Sequence, residues 1–156
     1  QAIILRDRIK FLTSIWNGKN VEYSNIKSAD IIGFAFKNSV ACIEVFIVRN
    51  GQNCGNVSFF PKQINDAERE EILEAFISDF YTSNVVPKEI YIPFELSNHD
   101  FLQKALNTKI LIPIKGDKYK LVEMANINAM ESLERKIALN SSVNKNLQEL
   151  KEIFSQ

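Results

Sequence analysis

VACIEVFIVRNGQNCGNVSFF, residues 40–60, contains the strongest hairpin signal in the chain. Residues 40–48 are rich in β-branched side chains and apolar on both faces, which predicts a strand inside a sheet. Asn50-Gly51 predicts a tight type I′ hairpin turn, because both central residues of that turn need positive φ. A second strand is predicted at residues 53–60, so the stretch forms a hairpin.

The hairpin also separates the two cysteines of the chain. If the turn is tight, Cys42 faces Phe59 and Cys54 faces Ile47 across the two strands. A disulfide needs close opposition of its two residues, so reduced structural thiols are predicted instead. With His99 as the single histidine, the composition does not favour a zinc site built from cysteine and histidine.

The other elements follow from hydrophobic periodicity and from turn residues. In chain order, the predicted elements are a strand at 31–36, the hairpin strands, a helix at 66–81, a strand at 88–94, a helix at 100–106, a strand at 109–114 and a helix at 118–139. Asn65 and Glu68 have the spacing of a capping box, which predicts Asn65 as the N-cap of the first of these helices. Asn140-Ser141-Ser142 interrupts the last helical pattern. The amphipathic residues beyond it are therefore predicted as a separate segment, marked by Val143, Leu147, Leu150 and Phe154.

This order of elements predicts one mixed sheet. A meander of three strands pairs antiparallel, whereas strands that alternate with helices are joined by right-handed parallel crossovers. The chain is therefore predicted to be an α/β protein with a mixed five-stranded sheet, ribonuclease-H-like topology and an N-terminal helix.

That N-terminal helix is predicted at residues 1–16. Leu5, Ile9, Leu12 and Trp16 recur at helical spacing and form one apolar stripe. Residues 17–28 are polar and predict a linker. An apolar stripe of this kind is expected to be buried against another surface. The sequence leaves open whether that surface belongs to its own domain or to a partner.

The charge balance bears on possible partners. The 156 residues include 19 basic and 19 acidic side chains, so the formal net charge is zero. A domain that grips DNA by phosphate neutralisation alone is usually basic, so a local basic loop is the most that is expected. No apolar run approaches the roughly 20 residues of a membrane span, and no signal peptide is expected. A cytoplasmic location without membrane contact is expected, and the start at Gln1 suggests a piece of a longer protein.

Several short motifs occur in a specific order. They are Leu5-Arg6-Asp7-Arg8-Ile9 before Leu12, then Ala29-Asp30-Ile31-Ile32-Gly33, an aromatic strand at 55–60, Val86-Pro87-Lys88-Glu89-Ile90, and Pro113, Gly116, Lys118, Leu121, Ala125, Asn128 and Ala129. In this order they resemble the UvrC family, the nuclease component of the bacterial UvrABC excinuclease of nucleotide excision repair. The first motif is similar to the end of that family's UVR motif, a helical hairpin by which UvrC proteins contact UvrB, another component of the excinuclease.

The resemblance implies four parts and two partners. The parts are the end of the UVR motif at 1–16, a linker at 17–28, a ribonuclease-H-like domain at 29–139 and an amphipathic connector at 140–156. UvrB is expected to bind Leu5, Arg6, Asp7, Ile9 and Leu12. Damaged DNA is expected as a partner through the parent complex, whose catalytic domain would begin after residue 156.

Catalytic acids are missing where such a fold needs them. Ribonuclease-H-like nucleases hold two divalent metals between carboxylates, one of them midway along the first strand and another at the end of the fourth. Here no acid occurs between Asp30 and Glu44, and the fourth strand ends in Pro93 and Phe94, with Glu95 one residue beyond. The fold is therefore predicted to be catalytically degenerate, without catalytic residues, metal ligands or a cofactor.

The remaining chemistry-bearing residues have structural interpretations. Asp30 is interpreted as a strand-entry residue, His99 as a loop or N-cap residue, and Cys42 as a core residue. A solvated helix face accounts for the acids of the first long helix, which are Glu70, Glu71, Glu74 and Asp79.

The basic loop at 115–120 is the one candidate nucleic-acid contact. Lys115, Lys118 and Lys120 lie near a predicted helix N-terminus, where they could contact phosphates. A solvated turn is the alternative interpretation.

Three functions are compatible with these observations. The leading hypothesis is a non-catalytic scaffold that positions the cutting domain of a repair endonuclease. The second is an active metal-dependent nuclease with displaced acids, which the missing first-strand carboxylate disfavours. The third is a generic protein-interaction module, which applies if the match of the initial helix is accidental.

Overall fold

The central hairpin forms around the predicted turn. The computed structural model describes residue 23, residues 25–62 and residues 65–154. Strands β2 (Val40–Arg49) and β3 (Gln52–Phe59) pair antiparallel. At the turn, Asn50 and Gly51 have φ values of 55° and 70°. Both lie in the left-handed region that a type I′ turn requires.

Three more strands complete one sheet. β1 (Ser28–Lys37) pairs antiparallel with β2, β4 (Glu89–Tyr91) pairs parallel with β1, and β5 (Lys109–Leu111) pairs parallel with β4. The strand order is β3-β2-β1-β4-β5. The mixed five-stranded α/β sheet predicted from the sequence is therefore confirmed, with β2 inside it.

Three helices pack against this sheet or connect its strands: α1 (Arg69–Ser83), α2 (His99–Leu106) and α3 (Gly116–Phe154). On the α1 face, the largest fully buried side chains are Ile32, Ile43, Leu73, Ile77, Ile90, Ile92 and Ile110. On the α3 face they are Ile31, Phe46, Tyr91, Leu121 and Leu133. Neighbouring residues of β1 point to opposite faces, so Ile31 and Ile32 enter different halves of the core.

Helix α3 crosses β1 at Gly33. A Cβ added to Gly33 would lie 2.2 Å from the carbonyl carbon of Ala125 and 2.5 Å from the backbone nitrogen of Asn126. The side chain of Asn126 accepts a hydrogen bond from the backbone N–H of Phe34, at 2.9 Å. Because both close contacts are with helix backbone, the absence of a side chain at position 33 sets how closely the helix approaches the sheet.

The hairpin register differs from the prediction by one residue at its far end. Ile43, not Cys42, is the partner of Phe59, and the register shifts between Phe46 and Val48. The extra residue lies on β3 near Gly55, whose φ of 117° suits glycine. Both cysteines are free thiols, as predicted. Cys42 is buried, as expected of a structural thiol, whereas Cys54 is exposed.

The predicted capping box is wrong. Helix α1 begins at Arg69, its N-cap is Glu68, and no side-chain hydrogen bond caps it. Asp66 has a positive φ of 57°, which takes the chain out of helical geometry beyond Asn65. Asn65 and Glu68 have the spacing of a capping box, but both precede the helix and do not cap it in that way.

The predicted interruption at 140–142 is also wrong. Helix α3 is continuous over 39 residues and includes Asn140, Ser141 and Ser142. Asparagine and serine each cost at most about 0.7 kcal/mol in a helix interior. Without glycine or proline between residues 117 and 154, that cost does not end the helix.

Strands β4 and β5 are shorter than predicted. The strand predicted at 88–94 ends at Tyr91, and the one predicted at 109–114 ends at Leu111. Pro93 and Pro113 follow closely in each case, and proline cannot donate to a strand ladder.

The predicted N-terminal helix at 1–16 lies outside the described residues. Of the predicted linker at 17–28, the structure describes residue 23 and residues 25–28. Ile26 is buried, and Tyr23 packs against the core on the α3 face. Among the described helices, none combines the length and apolar character that crossing a membrane requires.

Candidate functional site

The crevice between β1 and β4 is where a fold of this kind places its ligands. The strand order reverses between these two parallel strands, and ligands of open α/β sheets bind beyond the carboxyl ends of the strands at such a point. Phe34 of β1 and Phe94, three residues after β4, meet there edge to face, with ring centroids 5.5 Å apart. The guanidinium of Arg69 lies 4.4 Å from the centroid of the Phe94 ring. The crevice is therefore filled by aromatic rings and a cation.

Asp30, which the sequence marks as a strand-entry residue, is 2 % exposed on β1. One of its carboxylate oxygens accepts a hydrogen bond from Nη1 of Arg49 at 2.9 Å, and the other accepts one from the hydroxyl of Tyr81 at 2.6 Å. Burial and the neighbouring Asp30 raise the pKa of Tyr81, so its hydroxyl stays protonated and donates. The Asp30 carboxylate thus connects β1 to β2 through Arg49 and to α1 through Tyr81.

Glu44 is the second buried acid and lies on the other face of the sheet. Its carboxylate accepts hydrogen bonds from Asn56, at 2.6 Å, and from the hydroxyl of Ser58. That hydroxyl lies 3.2 Å from the hydroxyl of Ser132 on α3. Glu44 therefore belongs to a polar cluster that joins β2, β3 and α3.

Cys42 lies near this cluster, in the core. Burial, reinforced by the negative charge of Glu44, raises the pKa of the Cys42 thiol to about 12. A thiol with so high a pKa is uncharged near neutral pH and is a poor nucleophile. The core interpretation of Cys42 is confirmed by its position.

The acids of α1 occupy its outer surface. Glu70 pairs with its neighbour Arg69, and Glu74 accepts two hydrogen bonds from Asn98, both at 2.9 Å. Glu71 and Asp79 are exposed. In the part of the chain that the structure describes, no three residues of the His, Cys, Asp and Glu types are grouped so as to hold a metal ion.

His99 is the first residue of α2, and Asn98 is the N-cap. The interpretation of His99 as a loop or N-cap residue is therefore wrong by one position. Glu74 bonds to both the backbone and the side chain of Asn98 and so connects α1 to the start of α2.

The predicted basic loop at 115–120 is not a loop beyond Lys115, because α3 begins at Gly116 and contains both Lys118 and Lys120. The three lysines differ in their surroundings. The ammonium group of Lys118 lies 3.8 Å from Glu89 Oε1 and 5.2 Å from the centroid of the Tyr91 ring. Lys115 and Lys120 are exposed. Lys118 is thus directed toward β4, while the other two extend into solvent.

A second basic surface combines residues that are distant in the sequence. A concavity of about 520 Å³ lies at the start of β4 and β5 and at the end of α2. We call it the lysine concavity, and it is lined by Lys88, Gln103, Lys104, Asn107, Thr108 and Lys109. Sequence patterns do not reveal it, because only the parallel pairing of β4 with β5 brings Lys88 near Lys109.

Comparison with known proteins gives the family. Residues 28–136 match the family described as the UvrC Ribonuclease H-like domain. The chain belongs to the UvrC family. It is 36% identical over 160 residues to UvrABC system protein C of Ruegeria sp. (strain TM1040), covering 99% of this chain and 25% of that protein. It is 40% identical over 164 residues to UvrABC system protein C of Rickettsia felis, with coverage of 99% and 25%.

A third UvrC relative, from Jannaschia sp. (strain CCS1), is 38% identical over 144 residues, which cover 88% of this chain and 23% of that protein. The chain therefore spans about a quarter of the length of the curated UvrC relatives it matches, and it is a fragment of a UvrC protein. The ribonuclease-H-like fold predicted from the sequence is confirmed by the family match and by the strand order.

The end of α3 carries an exposed apolar stripe in this UvrC domain. Leu139, Val143, Leu147, Leu150 and Ile153 are between 48% and 66% exposed. They all lie beyond Leu133, which is buried in the core. The predicted UvrB-binding surface, which comprises Leu5, Arg6, Asp7, Ile9 and Leu12, lies outside the described residues.

Proposed function

We propose that this chain is a non-catalytic positioning domain of the excinuclease component that incises damaged DNA in nucleotide excision repair, in the bacterial cytoplasm. It connects the contact with UvrB to the catalytic domain and helps to place that domain on DNA. The family match supports the repair assignment, and the relatives are named as components of the UvrABC system.

The filling of the crevice between β1 and β4 carries the non-catalytic part of the proposal. Hydrolysis by two metals requires carboxylates that flank the scissile phosphate. At that place the described chain has Phe34 and Phe94 in ring contact. Its two buried acids are engaged elsewhere, Asp30 with Arg49 and Tyr81, and Glu44 with Asn56 and Ser58.

The alternative is an active nuclease that uses displaced acids. Such an enzyme would draw its ligands from α1, where Glu70, Glu71 and Glu74 lie. The first pairs with Arg69, the second is exposed, and the third bonds to Asn98. The geometry favours a structural use of these acids. A generic interaction module, the third hypothesis, loses support from the family match.

An incision assay distinguishes a positioning domain from a nuclease. The isolated chain is expected to leave supercoiled plasmid intact in magnesium or manganese, because the Phe34 and Phe94 rings meet in the crevice and the described residues contain no cluster of acids that could hold a metal ion. In the full-length UvrC protein, the triple variant E70Q/E71Q/E74Q is expected to retain incision within a few fold of wild type. The control is the wild-type protein on the same damaged plasmid. Metal-dependent nicking that purifies with the chain and disappears in the triple variant would refute the proposal.

The predicted contact with UvrB remains a proposal. Leu5, Ile9 and Leu12 form one apolar stripe at helical spacing, and half of a helical hairpin is marginal alone in water. In a chain extended upstream to complete the hairpin, Leu5→Ala or Ile9→Ala is expected to weaken binding of UvrB by about 1–3 kcal/mol. Lys10→Ala, off the stripe, is the matched control.

Titration of UvrB against the extended and the unextended chains checks this expectation. Equal affinity of the two chains, or equal effects of Leu5→Ala and Lys10→Ala, would show that this stripe is not half of a partner site.

A further inference from the structure

The lysine concavity is lined only by polar side chains, and three of its six lining residues are lysines. Among the described residues, Lys88, Lys104 and Lys109 form no ion pair within 4 Å, whereas Lys37 and Lys118 both do. Three lysines therefore line one concave surface, and no acidic residue lines it.

The backbone that carries these lysines is held by a dense set of hydrogen bonds. The hydroxyl of Thr108 contacts the carbonyl oxygens of Pro87 and Lys88, at 2.6 and 2.8 Å. The side chain of Gln103 accepts a hydrogen bond from the N–H of Ile110 at 2.9 Å. Asn107 closes α2 in the left-handed conformation. The lysines therefore extend from a framework that joins α2, β4 and β5.

The acids and the helix end near this surface do not cancel its charge. The closest acid of the strands, Glu89, is paired in register with Lys109, but its carboxylate is engaged by Tyr91 and by Lys118. The C-terminal end of α2 contributes the equivalent of about half a negative charge. Three ammonium groups exceed that, so the local potential is positive although the whole chain is neutral.

The composition of the wall indicates the kind of partner. The cores of protein interfaces are enriched in aromatic residues, methionine and arginine and are depleted of lysine. Contacts with a DNA backbone, by contrast, come from lysine or arginine together with asparagine, glutamine and threonine side chains. Lysine, asparagine, glutamine and threonine are the four residue types that line the concavity.

We propose that the lysine concavity binds the phosphate backbone of double-stranded DNA, through Lys88, Lys104 and Lys109. This inference rests on the proposed function, since it identifies the surface by which a positioning domain touches its DNA. It also assigns the main phosphate contact to a different surface from the basic residues 115–120, of which Lys118 is already engaged by Glu89. The contact is independent of base sequence, because phosphates carry no sequence information.

The test is a titration of the isotope-labelled chain with a 12-base-pair duplex at low salt, followed by nuclear magnetic resonance. The amide signals of residues 88, 104 and 107–109 are expected to shift most. In fluorescence anisotropy, the variant K88A/K104A/K109A is expected to flatten the log–log salt dependence of DNA affinity by about 2.7, since each lost phosphate contact removes about 0.9. The matched control is K62A/K136A/K145A, which removes the same charge elsewhere and is expected to retain the wild-type shifts at 88, 104 and 107–109.

Three results would overturn the assignment. The first is the absence of duplex-induced shifts at these amides, or equal losses in the K88A/K104A/K109A and control variants. The second is loss of binding in K115A/K118A/K120A with no loss in K88A/K104A/K109A. The third is an equal response to poly-glutamate at the same charge concentration, which would make the surface a general polyanion site. None of these outcomes bears on plasmid nicking, so this inference and the proposed function fail separately.

Discussion

Replacing Asp30 with alanine is expected to lower the free energy of unfolding by about 3–5 kcal/mol, the cost of breaking a buried ion pair by removing one partner. The substitution leaves Arg49, whose side chain is 31% exposed, beside an empty site. It also leaves the Tyr81 hydroxyl buried without its acceptor. Urea denaturation followed by circular dichroism measures the change.

Two further variants separate the parts of this effect. Tyr81→Phe keeps the ion pair and removes one hydrogen bond to a charged group, so a loss of about 1.5–3 kcal/mol is expected. Asp79→Ala changes an exposed acid on the same helix, and its effect is expected to stay within about 0.5 kcal/mol. Equal stabilities of Asp30→Ala and Asp79→Ala would show that the buried carboxylate is not part of the framework.

Replacing Gly33 with alanine is expected to cost about 3 kcal/mol, at the upper end of the usual range for overpacking. The added methyl group would lie 2.2 Å from a backbone carbon of α3, and no change of rotamer relieves a contact with backbone. At about 2–4 °C per kcal/mol for a chain of this size, the melting temperature is expected to fall by about 6–12 °C. Thermal unfolding by circular dichroism checks this.

Asn126→Ala is the matched control for Gly33→Ala. It removes the hydrogen bond to the N–H of Phe34 without forcing the helix away, so a smaller loss of about 1 kcal/mol is expected. Ala125→Gly is expected to give no rescue of Gly33→Ala, because the close atoms at Ala125 are its backbone carbon and oxygen. A melting temperature unchanged by Gly33→Ala would mean that the helix does not contact the strand at this point.

The sheet could be predicted because its signals are local. The turn at Asn50-Gly51 and the β-branched run before it predict an antiparallel strand pair. The later alternation of strands with helices predicts parallel strands. Neither prediction needs a contact between residues distant in the sequence. The bulge near Gly55 could not be placed, because the sequence does not show which of two strands carries the extra residue. The continuity of α3 could not be predicted locally, because Asn140, Ser141 and Ser142 have low helix propensity and only the long helix on both sides of them keeps them helical.

The candidate sites depend on contacts between distant residues, and there the sequence is less informative. The absence of acids from the middle of β1 and the end of β4 is visible in the sequence, but the Phe34–Phe94 contact joins positions sixty residues apart. Asp30 is visible as an acid near a strand start, yet its burial depends on Arg49 and Tyr81, which are 19 and 51 residues away. The lysine concavity likewise needs the pairing of β4 with β5.

Because α3 is one continuous helix, the direction in which its exposed apolar side chains point is fixed relative to the sheet. The 39 residues span about 58 Å at about 1.5 Å per residue. One residue inserted near Asn140 would rotate everything beyond it by about 100° and advance it by about 1.5 Å, without touching the core. Four inserted residues would restore the azimuth to within about 40° but advance the end by about 6 Å. A surface that binds Val143, Leu147 and Leu150 therefore responds to the angular phase of the helix as well as to its side chains.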